Sequence, residues 1–318
     1  MTAIVLERAR TLREYRLDTP AVEYGHVLIR VEYACVLDDD LDAFYYGYGK
    51  VPRVFGSAMV GTVVAGPKAG RIVPFRGSGA GGALGAGTRV MGFFDDTQDG
   101  ALRDYAVVPE DRCHVLPPDI REDRVPLIPD AARAAGIVRR LGIAPGQTLV
   151  VLGARATGVV LSLIAQAAGA TVVLVDPSRS RLNGAEELGV HHTINPIAAS
   201  LPEELDWFIG GRVDFVVDTS GDPEFMPAAV ASLHRGSVLG LTGPMDYPFN
   251  LSEIAETGIC IQGLTETEPA GAAAVDLARD LPLERLVSRS VPFVEIPAVV
   301  PVVMRERGAF LRLVGYAP

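Results

Sequence analysis

Residues 149–176 read LVVLGARATGVVLSLIAQAAGATVVLVD: an apolar run, a glycine turn, an apolar stretch of helical length, a second apolar run and an acid. Short β-branched runs without alternation are strands buried on both faces, and a connection as long as a helix brings the chain back parallel to its first strand. This part of the chain is therefore committed to a right-handed strand–helix–strand crossover in a covered parallel sheet. The turn carries Gly153 and Gly158 at the outer positions of G-x-G-x-x-G, with Arg155 at the middle one. A helix beginning there would present unpaired N–H groups and the positive end of its dipole to a pyrophosphate. The middle glycine of such a turn lets the backbone approach the phosphates closely. Arg155 either pairs its guanidinium with them or crowds them out, and we expect binding to be retained. Asp176, just past the second strand, is placed to accept from an adenosine ribose 2′-hydroxyl and to repel a 2′-phosphate. That favours NAD(H), with NADP(H) as the alternative. Arg179 and Arg181 follow closely, but arginines at such positions are more often exposed helix residues.

The 318 residues suggest about two domains, and 48% hydrophobic content suits well-packed globular ones. A formal net charge of −10 argues against a nucleic-acid partner, because a polyanion would be repelled. Cys35, Cys113 and Cys260 include no C-x-x-C pair, so neither a disulfide framework nor a cysteine-rich zinc lobe is expected. The N-terminal MTAIVLERARTLREYRL is too evenly charged for a signal peptide. The most apolar segment, Val159 to Val175, is broken by Ser162, Gln166 and Gly169 and falls short of the roughly 20 residues a membrane span needs. A soluble cytoplasmic protein is the expectation.

The first third alternates short strands with turn signals: Ala3–Leu6, Val27–Tyr33, Gly61–Ala65, Arg103–Val108 and Arg112–Leu116. A glycine-dense stretch within 67–87 reads as a loop or hairpin tip. From about Val125 strands alternate with helices. The strands expected are Thr148–Leu152, Thr171–Val175, His192–Ile194, Val213–Val217, Ser237–Leu241 and Gly258–Gly263. Between them we expect helices over Gly158–Ala168, Ser178–Leu188, Pro202–Phe208 and Glu224–Leu233. The end of the chain adds a helix at Ala272–Arg279, a strand at Val287–Pro292, a helix at Pro297–Arg305 and a strand at Phe310–Val314.

Six blocks in order carry a family resemblance: VLIRVEYACVLDDDLDAFYYGYG, FGSAMVGTVVAGP, DGALRDYAVVPEDRCHVLPPDI, the segment from GIAPGQ to INP, VDFVVDTSGDPE and GSVLGLTGP. Together they resemble the medium-chain dehydrogenase/reductase family. The resemblance implies an α/β protein with a GroES-like, β-rich catalytic domain (1–124 and 265–318) around a Rossmann domain with a doubly wound parallel sheet (125–264). It also implies that Thr219 and Gly243 lie beside the nicotinamide half of the cofactor. The family's zinc alcohol dehydrogenases bind catalytic zinc at positions that align with Leu37, Ser57 and Ala58, which make a poor donor set. The four-cysteine structural lobe is missing as well, so no zinc is expected.

The run Asp38, Asp39, Asp40 and Asp42 lies at the start of a short helix. Acids there cap free N–H groups and suit the dipole. By the resemblance, Asp39 falls where the family's proton relay places a hydroxyl, and Asp40 matches an orienting aspartate. Crowding and partial burial would raise one pKa in the run, and Asp39 is our catalytic candidate. Tyr48 could orient a carbonyl, Tyr45 and Tyr46 line an apolar cleft, and Ser57 could donate a hydrogen bond. His191 and His192 read as structural, and His234 as the cation ending a helix. The Gly258–Gly263 strand resembles the family's exposed Rossmann edge, which implies a homodimer. The resulting expectation is a zinc-independent oxidoreductase acting on a small-molecule carbonyl, alcohol or activated alkene in a biosynthetic pathway. The alternatives are a lyase- or cyclase-type enzyme, or a non-catalytic binding protein on the same fold.

Overall fold

The computed structural model describes the chain apart from 67–83, 95–97, 199, 211–212, 244–246, 265–280, 306–311 and 318. The described residues divide into two compact units, one holding Met1–Ala132 with parts of 270–306 and 311–318, the other parts of 133–269.

In the first unit β1 (Thr2–Arg8), β2 (Thr11–Arg16), β3 (His26–Val36) and α1 (Asp38–Tyr46) are followed by β4 (Arg53–Val54) and β5 (Ala58–Ala65). Next come β6 (Arg89–Phe93), β7 (Tyr105–Pro109), β8 (Cys113–Val115) and the start of α2 (Ile128–Leu141). β1 lies between β2 and β4 in a small antiparallel sheet. β3 is the hub of the larger sheet, pairing antiparallel with β5 and, along its first half, with β7. Its alternating burial (iBiBeBiiBBB) is that of a strand with one covered face.

The second unit carries the crossover. Its elements are β9 (Thr148–Leu152), α3 (Ala156–Ala167), β10 (Thr171–Val175), α4 (Arg179–Glu187), β11 (His192–Ile194) and α5 (Leu201–Ile209). They continue through β12 (Val213–Asp218), α6 (Met226–Ala231), β13 (Leu233–Leu241), α7 (Leu251–Thr257) and β14 (Cys260–Gly263). The six strands are parallel, in the order β11-β10-β9-β12-β13-β14. Counted along the chain this is the 3-2-1-4-5-6 order of a Rossmann sheet. Val150, Leu152, Val173 and Val175 share one face and join Val213, Val216, Leu201, Leu205 and Leu239 in a core cluster.

The chain returns to the first unit with β15 (Val287–Pro292), α8 (Ile296–Val303) and β16 (Arg312–Tyr316), and β16 sits between β15 and β3. No helix among the described residues is long and apolar enough to cross a membrane.

Three expectations need correction. The strands β2, β4 and β6 were not anticipated. The helix expected over Glu224–Leu233 is shorter: a 3-10 turn at Pro223–Phe225 leads into α6, and Leu233 already pairs with Val213 in the sheet. His234 therefore lies in β13, not at a helix end. Its backbone N–H donates to Ser237 Oγ at 3.0 Å, and its ring Nδ1 also meets that oxygen. The Ala272–Arg279 helix and most of the glycine-dense stretch fall outside the described residues.

A buried ion cluster fixes β16. Arg312 is fully buried; its Nη1 donates to the Val36 carbonyl at 2.7 Å and its Nη2 to Asp130 Oδ1 at 2.6 Å, with Asp38 Oδ2 at 3.9 Å. Burial alone would lower the Arg312 pKa, but Asp130 and Asp38 outweigh it and hold the guanidinium charged. Arg312→Met should therefore remove the buried cation facing Asp130 and Asp38 and cost about 3–5 kcal/mol of stability, read from the urea midpoint at neutral pH.

Candidate active site

The glycine turn is built by close packing. Gly153 adopts φ +101°, a left-handed conformation that side chains avoid, and its N–H donates to the Val175 carbonyl at 2.7 Å. A Cβ at Gly158 would overlap the Gly153 carbonyl oxygen and crowd Thr219 Oγ1. This glycine is what lets α3 start directly against β9. Arg155 is the N-cap of α3, with φ −73° and ψ 176°, extended backbone that any residue adopts, so the middle position needs no glycine for its own conformation. The first helical bond runs from Val159 N–H to the Arg155 carbonyl at 3.0 Å. The N–H groups of Ala156, Thr157 and Gly158 precede it and point out of the helix start.

Asp176 does more than stand at a strand end. It is 2% exposed; Oδ2 accepts from Ala154 N–H and Oδ1 from Ser178 N–H, both at 2.7 Å, and Arg181 Nη1 lies 3.6 Å from Oδ2. It thereby ties the glycine turn to the start of α4, and each oxygen keeps a lone pair for a further donor. Thr219 is buried, and its hydroxyl donates to the Leu152 carbonyl at 2.9 Å, with the Gly153 carbonyl at 3.2 Å. It clamps the ends of β9 and β12. A Cβ at Gly243 would meet none of the described residues within 4 Å. Asp218, not singled out from the sequence, accepts from Ser220 N–H, Ser220 Oγ and Gly221 N–H, while burial holds its pKa above the ordinary carboxylate value.

In the first unit the four acids have separate fates. Asp38 faces Arg312, Asp39 and Asp42 are half-exposed, and Asp40 is 1% exposed. Asp40 Oδ2 accepts from Leu37 N–H at 3.0 Å, Ser57 N–H at 2.9 Å and the Ser57 hydroxyl at 2.6 Å. Burial pushes the Asp40 pKa up; Arg53 and the bonds from Ser57 and Leu37 oppose it. The raised carboxyl is thus Asp40, and the Ser57 hydroxyl spends its proton on it. Leu37 and Ala58 pack with Cys35 and Phe93 in an apolar cluster. Tyr48 is 43% exposed and stacks on Tyr46 at 5.3 Å between centroids, while Arg10 lies over the Tyr45 ring at 4.1 Å. Sequence reasoning also missed Arg53, whose signal was a lone cation in the apolar run VPRVFGSAMV.

The model of the alcohol dehydrogenase GroES-like domain matches residues 23–118, and that of the zinc-binding dehydrogenase matches 156–279. The chain belongs to the medium-chain dehydrogenase/reductase family. Sorbitol dehydrogenase of Bacillus subtilis (strain 168) is 27% identical over 300 residues, 85% of this chain and 84% of that one. The solved 2R,3R-butanediol dehydrogenase of B. subtilis superposes with a TM-score of 0.83 at 19% identity, covering 100% of this chain and 99% of that one. An alcohol dehydrogenase from E. coli CFT073, solved with its cofactor NADH, superposes with a TM-score of 0.83 at 18% identity over 99% of both chains. This medium-chain family member is an oxidoreductase with a nicotinamide cofactor, and its glycine turn, close-packed and with helix N–H groups at its mouth, fits a dinucleotide.

Asp40 gives a signed pH prediction. Its folded pKa lies above the ordinary 3.8, so its protonated form suits the fold, and a stability cost appears as pH rises through the folded value. Ser57→Ala removes a bond to the ionised form and raises that pKa further. The variant should lose about 1–3 kcal/mol at pH values above the Asp40 pKa and progressively less as the pH falls through it, measured by denaturant melts across pH.

Proposed function

We propose that this family member moves hydride between NAD(H) and a carbonyl, alcohol or activated-alkene carbon without zinc. The observation that carries this reading is the state of the three aligned ligand positions. Leu37 and Ala58 belong to an apolar cluster, and the Ser57 hydroxyl donates its hydrogen bond to Asp40. Among the described residues no group of three or more His, Cys, Asp or Glu side chains is placed to hold a metal ion. Such a donor set offers no Lewis acid to polarise a carbonyl, so protein groups carry that role. Asp39, half-exposed beside the buried Asp40, is the proton donor or acceptor we assign, with Tyr48 as an orienting hydroxyl. Ser57 acts through Asp40. The pyrophosphate would lie on the N–H groups that open α3, near Arg155, and the adenosine ribose on the remaining lone pairs of Asp176. The nicotinamide half would lie by Thr219 and Gly243. When bound, the nicotinamide supplies the hydride chemistry itself.

Calorimetric titration of chelator-treated protein with NADH and NADPH tests the reading. NADH should bind at micromolar concentration and NADPH more weakly. Gly158→Ala should weaken NADH binding at least about tenfold, because the added Cβ forces α3 away from the turn. Binding of neither nucleotide would turn the search to redox-neutral chemistry. Asp39→Asn should reduce turnover and leave NADH affinity unchanged; unaltered turnover removes Asp39 from the mechanism. We also propose a homodimer through β14, the edge of the parallel sheet among the described residues, whose residues are exposed or half-exposed. Light scattering at micromolar concentration should return twice the chain mass.

A further inference from the structure

β3 pairs with β5 along one side, and on its other side two strands lie end to end: β7 along His26–Arg30 and β16 along Tyr33–Val36. Where β16 stops and β7 starts, Ala317 N–H donates to the Glu32 carbonyl and Val31 N–H to the Asp104 carbonyl, both at 3.0 Å. The backbone at this break is satisfied, and its side chains frame a groove of about 650 Å³. Arg30 and Glu32 of β3, Asp104 and Tyr105 at the start of β7, Glu122, and Tyr316 of β16 line it. None of them belongs to the candidate active site, and the volume is that of a small-molecule site. Most of the charge here is already matched. Arg89 of β6 donates to both Glu122 oxygens at 2.9 and 2.8 Å and meets Glu32 at 2.7 Å, and the Tyr33 hydroxyl donates to Glu122 at 3.1 Å. Two charged groups are left over. Arg30 is exposed and makes no hydrogen bond or ion pair among the described residues. Asp104 Oδ2 accepts from Thr2 N–H at 2.6 Å, while its Oδ1 has no partner among them. Arg30 lies opposite Tyr105 in the ladder, so Arg30 and Asp104 are neighbours across the strand pair without bonding to each other.

We propose that this groove binds a free α-amino acid with an aromatic side chain, at a site separate from the candidate active site. The ligand carboxylate would take the guanidinium N–H groups of Arg30, and its ammonium would donate to Asp104 Oδ1. A lone anion would satisfy Arg30 but face the carboxylates of Asp104, Glu32 and Glu122. A lone cation would satisfy Asp104 but face Arg30. A zwitterion satisfies both and leaves the charge balance of the groove unchanged. The Tyr105 and Tyr316 side chains flank the break, and their hydroxyls have no partner among the described residues. Such an aromatic, hydroxyl-bearing wall suits a flat ring better than an aliphatic side chain. The redox reading given above is not needed for this site.

The test is calorimetry on the full chain without nucleotide at neutral pH, with L-phenylalanine, 3-phenylpropanoate and 2-phenylethylamine as probes. The two analogues lack the ammonium and the carboxylate respectively. Phenylalanine should bind at least about tenfold more tightly than either, roughly the effect of one hydrogen bond between charged groups. Arg30→Gln and Asp104→Asn, each checked for folding by its thermal melt, should weaken phenylalanine binding at least about tenfold. Arg30→Gln should leave 2-phenylethylamine binding no weaker than in the parent chain, because the side chain it removes is the one that repels the amine. No binding of phenylalanine at millimolar concentration, an analogue that matches it, or unchanged phenylalanine affinity in the folded Arg30→Gln variant would each overturn the proposal. If Asp104→Asn does not fold, the exposed Arg30 position and the three-probe series decide. Phenylalanine binding alongside failure to bind either nicotinamide would keep this site and discard the redox reading; the reverse would do the opposite.

Discussion

The oxygen Asp40 Oδ2 organises the first unit around the site. By accepting from Leu37 N–H, Ser57 N–H and the Ser57 hydroxyl, it fastens the start of α1 to the residues between β4 and β5. A carboxylate with three donors on one oxygen is a rigid joint, and its burial makes each bond stronger than it would be in water. Neighbouring features follow from it. Leu37 is turned into an apolar cluster with Cys35 and Ala58, while Asp39, one residue away, is left half-exposed. The cost of burying the charge is offset by bonds from Ser57 and Leu37 and by the charge of Arg53.

The second unit uses the same device. Asp176 accepts from Ala154 in the glycine turn and from Ser178 before α4, so one buried carboxylate ties two strand-to-helix turns together. Gly158 lets α3 pack on the Gly153 carbonyl, and Thr219 holds the next strand to the same point. The glycine turn is thus fixed by Gly153, Gly158, Asp176 and Thr219, and the extended backbone of Arg155 at its middle position leaves it intact.

Where the chemistry of the sequence was monotonous, the fold was legible. β9, β10 and β11 begin and end at the residues expected; β9 and β10, buried inside the sheet, are continuous apolar runs closed by Gly153 and Asp176. The polar, mostly exposed TLREYR of β2 carries no such signal, and β4 is two residues long and defined only by its pairing with β1. α6 stopped early because Leu233 is claimed by the sheet beside Val213, a pairing between residues far apart in sequence.

By itself the sequence determined the parallel crossover, its glycine turn, the family and the residue types at the three aligned ligand positions. All of these depend on local periodicity or on identity at a position. The tertiary structure decided which way each polar side chain turned. Consecutive residues on a helix point about 100° apart, so Asp38, Asp39 and Asp40 had to part, but only packing could send one to Arg312, one outward and one to Ser57. Whether a buried charge finds a partner depends on atoms brought in from distant segments. That is why Arg312, brought in by β16, ended against Asp130 and the Val36 carbonyl.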